Sequence, residues 1–326
     1  MLKKLLNISL IALLLLAASG CKKDKKDDPD EWVAGSDFEG IARSAAASFT
    51  LNGRTYIVGG FDGEKRLSDL WYYDSSKRNW FRIVEADFPG KARNYAVAFA
   101  LNGKGYVGTG ADGTDARRDF YEFDPATNKW KAIADFPGEA RYGAIAFSTN
   151  GKGYVGSGTN TQGDLKDFFS YSAETNTWKQ VMSLPGTKRA NAFTFTIGDR
   201  PYIGAGRSNG IYLTDFWRYD AKADDWVKLK DLNRNEDDYK YNLKREYAAT
   251  FVIGDKGYIT GGSNGQVLGT TWRYDPNIDA WKEYQAFKGT VREAAIGFSL
   301  GDKGYVTTGR NGSLRFDDMW IFTPNK

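Results

Sequence analysis

The apolar positions of the chain fall into short segments separated by turns, and the same order of segments returns six times. In the second copy, residues 93–99 carry small and apolar side chains on both faces, which predicts a strand that is buried on both sides. Asn102-Gly103 follows, and this dipeptide is a strong hairpin signal. An aromatic segment, residues 120–123, and a final segment with Trp130 complete the copy. Each copy therefore predicts a four-stranded antiparallel sheet.

The spacing of the copies predicts how the sheets are arranged. An arginine opens each copy, and the six are Arg43, Arg93, Arg141, Arg189, Arg245 and Arg292, with steps of 50, 48, 48, 56 and 47 residues. A period near 50 with four short strands is typical of a β-propeller. The fourth segment carries Trp80 in the first copy, and no tryptophan follows Phe322 in the sixth. Trp32 precedes Trp80 by 48 residues, so we expect the N-terminal strand to complete the last blade and leave no open edge.

These features together resemble kelch repeats. The resemblance rests on glycine pairs such as Gly59-Gly60, on the aromatic third strand and on a tryptophan some twenty residues beyond the glycines, and it covers residues 32–322. It implies an all-β, six-bladed propeller with four antiparallel strands per blade. It does not imply one function, because kelch propellers include oxidases, sugar mutarotases and protein-binding platforms.

The N-terminus reads as a targeting segment. Residues 5–18 are an apolar run too short for a comfortable transmembrane helix, and the run ends in Ala18-Ser19-Gly20-Cys21. This ending resembles the lipobox of bacterial lipoproteins, which implies a lipid on Cys21; a plain secretory signal is the alternative. In such lipoproteins Asp after the cysteine favours the inner membrane, so Lys22 implies the outer membrane, facing the periplasm or the outside. The predicted parts are a signal peptide (1–20), a lipidated cysteine with a charged tether (21–30) and the propeller (31–326).

Charge and composition exclude several classes of function. The formal charge of +4 falls to +2 when Lys3 and Lys4 leave with the signal peptide, so nothing favours nucleic acid as a partner. Cys21 is the only cysteine, which excludes disulfides, and the chain has no histidine. A Ser-His-Asp triad, most zinc sites and a copper centre like that of galactose oxidase all need histidine. We therefore expect no metal and no cofactor.

Hairpin connectivity places the fourth-to-first and second-to-third loops on one face, here called the loop face, and the Asn-Gly turns on the other, the turn face. The six arginines enter from the loop face and could form a ring that holds an anion. The favoured alternative is that an aspartate opening each third strand clamps each arginine. Thr270 replaces that aspartate in the fifth blade, which makes Arg245 the most available for a ligand.

Residues that differ between blades at the loop face are the other candidates. Aromatic rings beside amides, carboxylates and guanidinium groups suit a sugar, although ordinary turn chemistry explains some of them. The insertion at residues 230–244 also lies on this face, either as a binding element or as a tolerated loop. The predicted ligand-binding residues are Arg245, Arg292, Arg93, Arg141, Tyr95, Tyr142, Tyr247, Asn191, Phe61, Arg207 and Arg310.

Three functions follow, in order of preference. The first is a membrane-anchored, non-enzymatic recognition module that binds a glycan or a protein on the loop face. The second is a cofactor-free enzyme resembling the sialic acid mutarotase, with Glu246 or Glu293 as acid and base and Arg245 or Arg292 holding an acidic sugar. The third is a structural platform in an envelope complex, for which aromatic patches on the outer rim would be the sign.

Overall fold

A computed structural model describes residues 32–236 and 238–324, and these residues form an all-β propeller with six blades. Each blade is a four-stranded antiparallel sheet, as predicted, and four short two-stranded ribbons are added to the blades. In the described part of the chain, no helix is long and apolar enough to cross a bilayer. The predicted signal peptide, Cys21 and the tether lie outside the described residues.

Strands are numbered in chain order, and each blade is given from the axis outward. Blade one contains β2 (Ala47–Leu51), β3 (Arg54–Phe61), β4 (Arg66–Asp74) and β5 (Asn79–Arg82). Blade two contains β6 (Val97–Leu101), β7 (Lys104–Gly108), β8 (Phe120–Asp124) and β9 (Lys129–Ala132). Blade three contains β10 (Ile145–Thr149), β11 (Lys152–Gly156), β14 (Phe168–Ser172) and β15 (Thr177–Val181).

The last three blades follow the same plan. Blade four contains β16 (Phe193–Ile197), β17 (Arg200–Gly204), β20 (Phe216–Asp220) and β21 (Asp225–Lys228). Blade five contains β24 (Ala249–Ile253), β25 (Lys256–Thr260), β26 (Thr271–Asp275) and β27 (Ala280–Tyr284). Blade six contains β28 (Ile296–Leu300), β29 (Lys303–Thr307), β32 (Met319–Phe322) and β1 (Trp32–Ala34).

The ribbons all lie in connections of the loop face. Three of them extend second-to-third loops, and the β22–β23 ribbon lies in the insertion between blades four and five. They are β12 (Thr159–Asn160) with β13 (Gly163–Asp164), β18 (Arg207–Ser208) with β19 (Ile211–Tyr212), β22 (Asn233–Glu236) with β23 (Tyr239–Asn242), and β30 (Arg310–Asn311) with β31 (Leu314–Arg315).

The N-terminal strand closes the ring, which confirms the prediction made from the tryptophan spacing. Trp32 of β1 pairs with Phe322 of β32, so the outermost strand of blade six comes from the other end of the chain. The Trp32 side chain is buried, meets Phe287 edge-on at 4.9 Å between ring centroids, and donates its indole N–H to the backbone oxygen of Gln285 at 3.2 Å. Blade six is thereby joined to blade five.

Aromatic side chains of the innermost strands fill the space between blades. Phe49 stacks on Tyr56 of its own blade with 5.0 Å between centroids, and it packs against blade two. A Cβ atom on Gly105 would come within 2.2 Å of the Phe49 ring. The second strand of blade two therefore needs glycine at this position, because any side chain would displace the ring on which the two blades pack.

Candidate functional site

The six repeated arginines belong to the frame of the propeller. Arg93 is typical: its guanidinium forms a bidentate pair with Asp119 at 2.6 and 2.7 Å, and it donates to the backbone oxygens of Thr109 and Lys91. Burial by itself would raise the pKa of Asp119, but the hydrogen bonds and charge of Arg93 outweigh it and lower the pKa. The equivalent arginine and aspartate also form an ion pair in blades one, three, four and six, and this pair is bidentate in all of them except blade four.

This placement corrects the prediction that Arg93, Arg141 and Arg292 contact a ligand. All three side chains are buried, and every guanidinium nitrogen donates to a protein oxygen. Arg245 is buried too, although Thr270 replaces its aspartate and accepts only one hydrogen bond from it, at 3.1 Å. The repeated arginines therefore stabilise the blades from inside and do not face the loop-face opening.

A closed ring of backbone hydrogen bonds surrounds the propeller axis at the start of the innermost strands. Each blade contributes the residue two positions after its arginine, whose N–H donates to the carbonyl oxygen of the equivalent residue in the preceding blade, over 2.8 to 3.2 Å. All six residues have positive φ angles between 52° and 59°, although only Gly143 among them is a glycine. The ring members are Ala45, Tyr95, Gly143, Asn191, Tyr247 and Ala294.

Small residues surround the axis beside this ring. An alanine stands three residues after each arginine, at Ala46, Ala96, Ala144, Ala192, Ala248 and Ala295. The alanines and the ring residues line an axial cavity of about 200 Å³. Sequence reasoning missed these alanines, although their constant distance from the arginines is visible in the repeat.

Two tyrosines meet across the axis. Tyr95 and Tyr247 come from blades two and five, which are opposite each other in a six-bladed ring, and their ring centroids are 5.4 Å apart. Tyr142 lies beside them, 6.4 Å from Tyr95. Burial raises the pKa of both Tyr95 and Tyr247, and the nearby carboxylates of Glu246 and Glu293 add to this for Tyr95. Both phenols of the pair are therefore neutral and can donate hydrogen bonds.

Glu246 and Asn191 form the polar side of the axial site towards blade four. Asn191 Nδ2 donates to Glu246 Oε2 at 2.8 Å, while Asn191 Oδ1 is buried without a hydrogen-bond partner. Arg207 lies 3.6 Å from Glu246 Oε1. Burial raises the pKa of Glu246, against the opposing effects of the Asn191 hydrogen bond and the Arg207 charge. The site thus holds a buried acid, a nearby cation and an acceptor that lacks a donor.

Glu293 and Arg310 form the side towards blade six. Arg310 donates through Nε to Glu293 Oε1 at 2.9 Å, and its guanidinium carbon lies 5.7 Å from the centre of the Tyr247 ring. The backbones of these two residues also pair with each other. Equivalent backbone pairs join the residue after each arginine to the residue after each glycine turn, such as Ala190 to Arg207 and Glu246 to Ser263. The two sets of positions that differ between blades, one after the arginines and one after the glycine turns, are therefore adjacent around the axis.

Phe61 lies on the rim of the same face, between two cations that sequence reasoning missed. The guanidinium carbons of Arg66 and Arg315 are 5.2 and 5.5 Å from the centre of its ring. Arg66 also donates to Asn94 Oδ1 at 3.3 Å. Both arginines belong to second-to-third loop hairpins, whose lengths differ between blades, so the repeat gave no signal for them.

The insertion between blades four and five is a packed element. Leu232 and Leu243 are fully buried in the core shared with Phe193 and Phe216, and Tyr241 meets the Trp272 ring at 6.0 Å. This segment is therefore not the tolerated, solvated loop that the sequence left open as an alternative. Its buried leucines belong to the core between blades rather than to the residues around the axial cavity.

Larger clefts occur on the turn face, between neighbouring blades. Two of them have volumes of about 570 and 520 Å³ and are lined by residues of turns and of the neighbouring strands, such as Asn52, Asp74 and Arg78. Size alone would favour these clefts over the axial cavity. We assign the candidate site to the axis because side chains from several blades meet there, beside buried charges that differ from blade to blade.

Comparisons with known proteins agree with this architecture. A family profile described as the KLHDC2/KLHL20/DRC7 Kelch-repeats domain matches residues 33–186 and, overlapping with these, 134–301. No individual curated protein matches the sequence. A solved structure titled "Structure of YjhT" superposes with a TM-score of 0.76 at 16% sequence identity, covering 89% of this chain and 97% of that one. At this identity the likeness concerns the fold.

Proposed function

This chain belongs to the kelch-repeat family, and we propose that it is a recognition module that binds a small acidic sugar at the axis of its loop face. One observation carries the proposal. Two tyrosines from opposite blades and an asparagine with a free acceptor line one cavity, and the cations Arg207 and Arg310 lie beside these residues. Kelch propellers serve widely as binding modules, which agrees with a role in recognition.

The charge around the site favours an anionic ligand. Arg66, Arg207, Arg310 and Arg315 stand around the opening, whereas the carboxylates among them, Glu246 and Glu293, each have an arginine nearby. Arginine suits a carboxylate because its planar guanidinium can donate two parallel hydrogen bonds. The tyrosine rings offer faces for the C–H groups of a sugar, and Asn191 Oδ1 can accept from a hydroxyl.

A binding screen of the full chain against a glycan array tests the proposal, followed by calorimetry with the best acidic and neutral sugars. We expect acidic sugars to bind and their neutral counterparts to bind more weakly. Arg310→Ala is expected to weaken binding of the acidic sugar about 10- to 100-fold, because it removes a charge-assisted hydrogen bond.

The matched control is Arg200→Ala, which removes an exposed arginine of the turn face. This variant should bind as the wild type does. Equal loss in the two variants, or binding of neutral and acidic sugars alike, would contradict an anion-recognising site on the loop face. A wild-type chain that binds no glycan would remove the sugar and leave a protein as the ligand of this face.

A second candidate is a cofactor-free sugar enzyme, and the geometry around Glu246 favours it. The buried Glu246 carboxyl has a raised pKa, and Arg207 lies 3.6 Å from one of its oxygens. A carboxyl of this kind can exchange a proton with a ring-opened sugar while the arginine holds the acidic group. The side chains of Arg245 and Arg292, which were predicted to hold the acidic group of the sugar, are buried inside the blades. Arg207 and Arg310 take that role instead.

Exchange spectroscopy by NMR on an acidic sugar separates the enzyme from the binder. An enzyme would accelerate the interconversion of the two anomers, and Glu246→Gln would abolish the acceleration while leaving sugar binding within a fewfold of the wild type. A pure recognition module would bind the sugar without changing the rate. Glu293→Gln provides the comparison, since it tests the other predicted acid at the same site.

We also propose that the module is anchored to the outer membrane through a lipid on Cys21. The support is the resemblance of Ala18–Cys21 to a lipobox and the charged segment that follows it. Trp32 pairs with Phe322, which pairs with Gly304 beside the Gly301-Asp302 turn. The chain therefore enters the propeller at its turn face, and an anchor there would leave the loop face directed away from the membrane.

Metabolic labelling with a radioactive fatty acid in a bacterial host tests the anchor. The wild-type chain should incorporate label and sediment with membranes, whereas Cys21→Ala should do neither. Labelling that survives in the variant would contradict the assignment.

The structural platform remains the third function, but no aromatic side chain of the described residues is exposed, so the rim patch expected for it has no support there.

A further inference from the structure

Blade five carries a buried positive charge without the carboxylate that the other blades supply. Arg245 is 1% exposed and donates to the backbone oxygens of Leu243 and Gly261, at 3.3 and 3.0 Å, and to Thr270 Oγ1. Among the described residues, no carboxylate forms an ion pair with it. Burial lowers the pKa of Arg245 to about 10, while the charge of Glu283 acts in the opposite direction. The guanidinium is therefore charged at neutral pH inside the protein, which is costly without a partner.

In three other blades, a second donor shares the aspartate with the arginine. One carboxylate oxygen accepts both from the arginine Nη2 and from the indole N–H of the tryptophan two residues after the aspartate. The three sets are Arg43, Asp69 and Trp71 in blade one; Arg189, Asp215 and Trp217 in blade four; and Arg292, Asp318 and Trp320 in blade six.

Blade five keeps both donors but lacks the acceptor. Trp272 follows Thr270 by two residues and pairs with Ile259 in the register in which Trp71 pairs with Ile57. Trp272 is 8% exposed, and its indole nitrogen is buried without a hydrogen-bond partner. The indole nitrogens of Trp80 and Trp281 are buried without a partner as well, but Trp272 stands at the position where three other blades supply an aspartate oxygen to the indole.

We propose that a halide ion, such as chloride, occupies the position of the missing aspartate oxygen, bound by Arg245 and Trp272. A halide accepts hydrogen bonds from several donors at once and neutralises the guanidinium. The surroundings favour a weakly hydrated monovalent ion, because Leu232 and Leu243 of the insertion are fully buried in the adjoining core. A strongly hydrated divalent anion such as sulfate would lose too much hydration energy there. This site is separate from the axial cavity and does not depend on the proposed sugar.

Bromide tests the site in two ways on the full chain. Crystals grown in sodium bromide should show an anomalous peak next to Arg245 Nη2 and the indole nitrogen of Trp272. At constant ionic strength, replacing gluconate by bromide should raise the melting temperature by about 2 °C for each tenfold increase above the dissociation constant.

Thr270→Asp restores the aspartate found in the other blades and is expected to abolish both effects. Thr270→Val keeps the shape of the side chain and adds no carboxylate, so it should retain the anomalous peak and the effect of bromide on the melting temperature. The proposal fails if wild-type crystals show no peak at this position, a result that does not depend on how any variant folds. It also fails if bromide raises the melting temperature of Thr270→Asp as much as that of the wild type.

Discussion

An arginine is buried at the equivalent position of every blade, and its role depends on the residues that it contacts. Arg43 forms a bidentate pair with Asp69 at 2.5 and 2.7 Å and lies 4.9 Å from the Phe38 ring. A buried ion pair adds little to the free energy of unfolding when compared with apolar residues of the same size. Removal of one partner, however, leaves a buried charge without a counter-charge. Side chains that recur in all blades are therefore best read as parts of the frame.

Loss of one clamp is expected to destabilise the whole propeller. Asp69→Ala should lower the free energy of unfolding by about 3–5 kcal/mol, because Arg43 would remain buried without its counter-charge. Chemical denaturation followed by tryptophan fluorescence measures the loss. Asp87→Ala is the control, since its pair with Arg82 is exposed on both sides and should contribute at most about 1 kcal/mol. Equal losses in the two variants would contradict the assignment of the arginines to the frame.

The buried carboxyl of Glu246 should make stability depend on pH. Burial raises its folded-state pKa, so the unfolded chain loses this proton at a lower pH than the folded protein does. Raising the pH from the unfolded pKa to the folded pKa therefore destabilises the folded state. Glu246→Gln removes this loss and should be more stable than the wild type at neutral pH. Denaturation curves between about pH 4 and pH 8 measure the difference, and parallel profiles for the two proteins would exclude it.

Among the elements, the insertion shows how an apparent loop becomes part of the core. Its sequence is mostly charged and polar, so the pattern gave no sign of burial. The structure nevertheless buries Leu232 and Leu243 beside Phe216, and β22 and β23 pair with each other. Two leucines at the base of a hairpin are too few to predict a packed element from sequence, because their partners lie in other blades.

Truncation of a buried leucine at the base of the insertion tests this interpretation. Leu243→Ala is expected to cost about 2–5 kcal/mol of unfolding free energy, since it removes a fully buried side chain from a shared core. Lys240→Ala, on an exposed position of the same ribbon, should have little effect. Thermal and chemical denaturation give both values, and a loss below about 1 kcal/mol for Leu243→Ala would support the tolerated loop instead.

At the scale of the whole molecule, stability depends on the closure of the ring. Trp32→Ala should cost about 3–5 kcal/mol, because the buried indole joins β1 to the core between blades five and six. Val33→Ala, in the same strand with a side chain that is exposed, is the control. Hydrogen exchange should show faster exchange in blade six of the Trp32 variant than in blades two to four. Uniformly faster exchange would indicate that the closure acts on the whole ring as one unit.

The sequence by itself determined the number of blades, the strands in each and the closure by the N-terminus. These follow from local signals, namely turn dipeptides, aromatic strands and a tryptophan with a constant spacing, and repetition made each of them count six times. It also indicated that Tyr95, Tyr142, Tyr247, Asn191 and the residues around them share one face.

Tertiary structure alone decided what these residues do. The opposition of Tyr95 and Tyr247 across the axis, the ring of backbone hydrogen bonds and the burial of Arg245 all depend on how distant blades pack. The repeat places an arginine in every blade and an aspartate in five of them, but only the packed structure shows that these pairs are buried and that blade five leaves a charge and an indole N–H without an acceptor. Burial and hydrogen-bond geometry depend on neighbours in space, and the order of residues along a chain does not contain them.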